Sequence, residues 1–153
     1  MGRSIVGTLA GYVVMIVIVL ASIFGTWQAL GPAGSFNGEG PYPSTAWVLS
    51  NVIFGFLGAY AGGWVARRLG KSDLAIKMLA GLILALGLYQ LVTEESAYEK
   101  RSADAPDKPV AELTFMEAGM VARSPLWYLW SIPVIGVAGV WLGGRRREAP
   151  PEG

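Results

Sequence analysis

The stretch from Ile5 to Ala29, IVGTLAGYVVMIVIVLASIFGTWQA, decides the fold. It carries no charge, and no charged residue lies anywhere between Arg3 and Glu39. A helix needs about 20 mainly apolar residues to cross the hydrocarbon of a bilayer, so this run is long enough. The β-branched centre, Val13 to Leu20, would suit a short strand. Barrel strands, however, are about 10 residues long and alternate polar with apolar. A helix satisfies all its backbone groups within the segment, as hydrocarbon demands. The run is also too long for the apolar core of a cleaved leader, roughly 7–15 residues, and no small-residue cleavage site with a hydrophilic chain behind it follows.

Three more segments read the same way: Ala46–Ala66, Leu74–Val92 with Lys77 near its start, and Leu126–Gly143. Of the 153 residues, 53% are hydrophobic and 15% charged, and the mean hydropathy is +0.46. Soluble domains carry about 25% charged residues. This composition excludes a disordered chain, a nucleic-acid binder and a typical cytosolic enzyme. A soluble helical bundle would need polar helix faces, and these segments are apolar all round. The expectation is an all-α polytopic membrane protein. Residues 1–153 form a single four-helix transmembrane domain, with spans at 5–29, 46–66, 74–92 and 126–143 and an extracytoplasmic loop at 93–125.

Charge orients the bundle, because Lys and Arg collect on the cytoplasmic side. Arg3 precedes span one. Arg67, Arg68, Lys71 and Lys77 flank the second loop, and Arg145, Arg146 and Arg147 follow span four. The other face holds Glu39, Glu94, Glu95, Glu99, Asp104, Asp107, Glu112 and Glu117, against only Asp73, Glu148 and Glu152 on the basic side. Both termini are therefore expected in the cytoplasm, in a multi-pass membrane protein. The arginine clusters also suit anionic lipid headgroups. Trp27, Trp47, Trp127 and Trp130 fall at the outer ends of the spans, and Trp64 and Trp141 at the inner ends, as interface anchors.

Helices associate in lipid where small residues let backbones approach. Gly7 and Gly11 are such a pair in span one, and Gly139 and Gly143 in span four. Span two has two parallel rows, Gly55–Ala59–Gly63 and Gly58–Gly62–Ala66, which mark it as the bundle's centre; span three offers Gly81 and Ala85. Pro133 predicts a kink in span four. Ser72 with Asp73 and Ser124 with Pro125 read as helix starts. Thr114 and Glu117 form a capping-box pattern, which predicts a short extracytoplasmic helix from Phe115 to Arg123 resting on the interface. The glycine- and proline-rich segment Gly31–Thr45 reads as an irregular cap, and the acidic Glu94–Pro109 stretch as a solvated, protruding loop.

Chemistry has few places to reside. There is no cysteine and no histidine, which removes thiol and imidazole catalysis and the usual zinc and haem ligation. Glu94, Glu95 and Glu99 lack the spacing of a calcium loop. No Asp or Glu lies within a span, so proton-coupled export of the small-multidrug type lacks its titrating group. Lys77 sits one turn from an end and can snorkel to water. Asn51 is expected to contact a neighbouring helix. No catalytic, cofactor or metal site is expected.

The pieces Ala10–Met15 (AGYVVM), Gly62–Arg68 (GGWVARR), Ala122–Trp127 (ARSPLW) and Gly143–Arg147 (GGRRR) together resemble a group of small four-span bacterial inner-membrane proteins without an assigned function. The resemblance covers most of the chain apart from the acidic third loop. It implies a bacterial source and supplies no functional residue. Two functions follow from the residues. One is a non-enzymatic protein acting by contact, an accessory or assembly subunit of a membrane complex or a small homo-oligomer, with lipids, itself or other subunits as partners. The alternative is a channel or an uncoupled carrier for a neutral or apolar solute, motivated by Pro133, the glycines of span two and Asn51. A lipid-directed enzyme would have only the acidic loop to support it.

Overall fold

The computed structural model describes residues 1–38 and 40–145. Among these residues there are five α-helices and no strand: α1 (Gly2–Ser35), α2 (Thr45–Gly70), α3 (Asp73–Ala103), α4 (Phe115–Val121) and α5 (Leu126–Gly144), with a 3-10 turn at Val110–Glu112 before α4. Helices α1, α2, α3 and α5 are each long and apolar enough to span a membrane.

Three helices outrun the apolar segments that announce them. Helix α2 continues past Ala66 to Gly70, where Arg67 and Arg68 complement the helix dipole. Lys71 then turns left-handed (φ 50°), its N–H bonding to the Arg67 carbonyl at 2.9 Å. Helix α3 runs eleven residues past Val92. The stretch Glu94–Ala103 is a helical extension rather than the protruding loop expected from its charge. Its sequence, EESAYEKRSA, is rich in good helix formers, with Lys100 and Arg101 in the last turn. Apolarity marks where a helix meets lipid, and propensity carries it further. Helix α1 also extends, to Ser35, but is interrupted at Gly31 (φ 66°, ψ 178°), a conformation reserved for glycine, just before Pro32.

Helix α2 is central and packs on α1 on one side and α5 on another, while α3 packs chiefly on α5. The two small-residue rows of α2 divide the work. Gly58, Gly62, Ala66 and then Gly70 face α1. A Cβ on Gly62 would sit 2.6 Å from the Gly11 carbonyl oxygen, and one on Gly7 would sit 2.5 Å from the Gly70 nitrogen. Ala59 and Gly63 face α5: a Cβ on Gly139 would lie 2.8 Å from the Ala59 Cβ, one on Gly63 would collide with the Val140 carbonyl, and one on Gly143 with the Tyr60 carbonyl. Both seams are backbone against backbone, the contact that substitutes for the hydrophobic effect between helices in lipid. Ala59, Ala66, Ile76, Leu79, Ala80, Ile83 and Val140 fill the centre.

Gly55 and Gly81, expected to pack within the chain or against a neighbour, make no close contact within it: neither would bring a Cβ within 4 Å of another element. Gly81 is on the exposed side of α3, whose packed face instead runs through Ile76, Leu79, Ala80, Ile83 and Gly87. The third helix meets α5 through glycines that the four-residue pattern overlooks. Gly87 receives Pro133, Gly136 receives Ile83 and Gly144 receives Ile76. Pro133 lies within one continuous helix and is fully buried against Gly87.

Two helix starts also differ. Ser72 is the N-cap of α3, but its hydroxyl pairs with Ser4 at 2.9 Å rather than with its own helix. Pro125, not Ser124, is the N-cap of α5. Thr8 strengthens the first junction by donating to the carbonyls of Ser4 and Ala75 at 2.9 and 3.1 Å. These contacts bring the start of α1, the α2–α3 turn and the end of α5 to one end of the bundle, here the basal end. The remaining connections build a cap at the other end.

Candidate functional site

The cap begins where α1 breaks. Ser35 Oγ donates to the Gly31 carbonyl at 2.7 Å and closes the short turn after the break. Ser44 Oγ reaches the Gly34 carbonyl at 2.6 Å, and the same hydroxyl accepts from Trp47 N at 3.2 Å as the N-cap of α2. Phe36 and Pro43 form an isolated antiparallel bridge, and Arg123 N donates to the Pro41 carbonyl at 2.8 Å. The segment read as irregular is therefore pinned at both ends and to the chain leading into α5.

Helix α4 starts at Phe115 and ends at Val121, two residues before the expected end. Its capping box is complete: Glu117 N donates to Thr114 Oγ1 at 3.3 Å, and Thr114 N donates to Glu117 Oε2 at 2.8 Å. Lys108 Nζ adds a bond to Glu117 Oε1 at 2.8 Å. The Lys108 hydrogen bond, followed by those from Thr114, holds the Glu117 carboxyl at about 2, below its usual 4.5; the same carboxylate raises the Lys108 pKa.

Trp27 is a correction. It is only 8% exposed and lies in a second apolar cluster with Phe36, Leu113 and Ala118, the rings of Trp47 and Phe115 meeting it edge-on at 6.2 and 5.7 Å. Expected as an anchor facing lipid, it is the floor of the cap instead. Folding of α4 over the helix ends buries it, and nothing local to Trp27 signals that. Trp64, Trp127, Trp130 and Trp141 are exposed, and Trp47 is half-buried.

Ion pairs tie the α3 extension to the segment before α5. Arg101 Nη2 meets Glu94 Oε1 at 3.0 Å, and Arg123 Nη2 meets both Glu95 oxygens at 2.9 and 3.1 Å. The Glu95 contact raises the Arg123 pKa. The Arg123–Glu95 pair is exposed, where such pairs contribute little, and Arg101–Glu94 is part-buried; the apolar cluster beneath them carries most of the cap. Among the described residues no group of three acidic side chains could hold a metal ion.

Between Trp27, Trp47 and α4 lies an open apolar pocket of about 450 Å³, lined by Phe36, Phe115, Met116 and Met120 among others, with Arg101 in its wall. This volume falls in the range of small-ligand pockets, and its methionines can adapt to varied shapes. Among the described residues, Arg101 Nε is the buried side-chain nitrogen without a hydrogen-bond partner. The sequence signalled the α4 apolar residues but not that they would enclose space.

Asn51 makes a different bond from the one expected. Its Nδ2 donates to the Trp47 carbonyl at 2.8 Å, one turn back in its own helix. At the basal end, Arg67, Arg68 and Arg145 gather beside Trp64, with Lys71 in the adjoining turn and Lys77 exposed on α3. Arg68 lies 4.7 Å above the Trp64 ring, and Arg67 pairs with Asp73. Arg146 and Arg147 lie outside the described residues. No protein-family model matches the chain, and comparisons with curated proteins and with solved structures find no match.

Proposed function

We propose that this chain is a non-enzymatic, multi-pass protein of a bacterial inner membrane that acts by contact, as an accessory subunit of a membrane complex. The basic basal end faces the cytoplasm and the acidic cap faces outward, in keeping with the charge asymmetry across the bilayer. The observation that carries the reading is the contrast between a closed bundle and an open cap. Glycine seams and apolar side chains fill the described centre of the bundle, whereas the cap holds an apolar pocket with Arg101 in its wall. The occupant is an apolar segment of a partner subunit, with an oxygen acceptor for the Arg101 guanidinium. Of the three motives for the channel reading, Asn51 bonds within its own turn, Pro133 is buried against Gly87, and the α2 glycines Gly58, Gly62, Gly63 and Gly70 are taken up by contacts within the chain, which favours the contact reading.

The test is photo-crosslinking in intact membranes. A photoreactive residue at Met120 is expected to yield one discrete protein adduct, and one at lipid-facing Val17 none. Gly119 lines the pocket with open space where a Cβ would go, so Gly119→Trp fills it and abolishes the adduct. Adducts to lipid alone, or an adduct unaffected by Gly119→Trp, would contradict the proposal.

A further inference from the structure

The basal end carries a second feature, independent of the cap. Among the described residues, Arg3, Arg67, Arg68, Lys71, Lys77 and Arg145 lie there with one acidic residue, Asp73. The arginines are organised by depth. A groove of about 730 Å³ between α2 and α5 is lined along α2 by Arg67 and Arg68 at its top, Trp64 in its middle and Tyr60 at its foot, and Arg145 enters it from the end of α5. At 1.5 Å per residue, Trp64 lies about 6 Å below Arg68, and Tyr60 about 12 Å below. The headgroup layer of a bilayer is itself about 6 Å thick on each side, from the difference between total and hydrocarbon thickness. Cations at the headgroup level, an indole at the boundary and an apolar wall below reproduce the order of a phospholipid molecule. Gly143 lets α5 lie directly on the Tyr60 backbone at the foot, so the groove is fixed by the same seam that closes the bundle.

The geometry points to this groove as a binding site for one anionic diacyl phospholipid, its phosphate held by Arg68 and Arg145 with Arg67 behind them, and its chains along Trp64, Tyr60 and Leu142. On the other flank of α5 a smaller groove of about 500 Å³ shares Arg67 and Arg145 but also contains Asp73 and Lys77. Asp73 engages Arg67 there and opposes an anion, so the site is one-sided. That asymmetry separates a built site from a diffuse attraction between a basic rim and an acidic membrane.

Native mass spectrometry of the purified full chain, with dioleoyl phosphatidylglycerol or dioleoyl phosphatidylcholine added to the detergent, tests this. One phosphatidylglycerol is expected to stay bound under activation that strips phosphatidylcholine. A basic side chain at an anionic surface contributes a factor of about five. Arg68→Ala and Arg145→Ala should each lower phosphatidylglycerol occupancy by about that factor, with helix content by circular dichroism unchanged. Lys77→Ala, which touches only the other groove, should leave occupancy as it is. Glycerol 3-phosphate in excess should not displace the lipid, since it lacks the chains. Equal retention of the two lipids, an equal loss with Lys77→Ala, or displacement by glycerol 3-phosphate would each overturn the assignment. None of these outcomes bears on the cap pocket, at the opposite end of the bundle.

Discussion

Glu117 shows how much one side chain organises. It closes the capping box of α4 and receives Lys108, and its carboxyl is held at about 2. A carboxylate whose pKa is lower in the folded state contributes stability above its unfolded value and loses it as pH falls toward the folded one. The contribution to the cap is thus complete above about pH 4.5 and fades between there and about pH 2. Glu117→Gln removes the charge but keeps an acceptor oxygen. Hydrogen-exchange protection in the 110–123 segment, taken relative to the intrinsic rate at each pH, should fall on acidification below pH 4.5 in the parent chain, while the variant should be less protected at neutral pH and respond less to acid. Identical exchange in both chains across this range would show that Glu117 does not hold α4. Trp27 marks the opposite limit of residue-level reading. A tryptophan near a span end signals an anchor, and its burial depends on Phe36 and Trp47 together with Leu113, Phe115 and Ala118, a segment nearly ninety positions later.

At the level of elements, glycine positions make the packing testable. A Cβ on Gly63 would collide with the Val140 carbonyl, whereas one on Gly81 meets open space. Gly63→Ala should therefore lower the thermal midpoint in detergent by pushing α2 and α5 apart. Gly81→Ala should leave it unchanged or raise it, since alanine is favoured over glycine in a helix interior by about 1 kcal/mol. Equal effects of the two substitutions would refute the assigned seam. The same comparison shows what was legible. Two rows of small residues on α2 identified the central helix because a 3.6-residue repeat places them on adjacent stripes. The α3–α5 seam was not legible, since Gly87, Gly136 and Gly144 each accept a large side chain, Pro133, Ile83 or Ile76, rather than another small one. The α3 extension is hidden in the sequence because a charged stretch looks like a solvated loop; Glu94 and Glu95 are helical and pair with Arg101 and Arg123.

For the whole molecule, apolar length alone gave the number of spans, because lipid excludes backbone that a helix does not satisfy. The cap pocket was less legible, since it is made by contacts among α1, α2, α3 and α4 that no local pattern encodes. The two ends differ in chemistry, one basic, the other acidic and enclosing an apolar pocket, and the central claim is that the membrane lies between them. The chain contains no cysteine, so single reporters can be placed without background. Cysteine at Ala103, at Gly2 and at Lys71 should be treated in intact spheroplasts with a membrane-impermeant maleimide. The account predicts labelling at Ala103 at once, and at Gly2 and Lys71 only after permeabilisation. Labelling of Gly2 and Ala103 from the same side would contradict it.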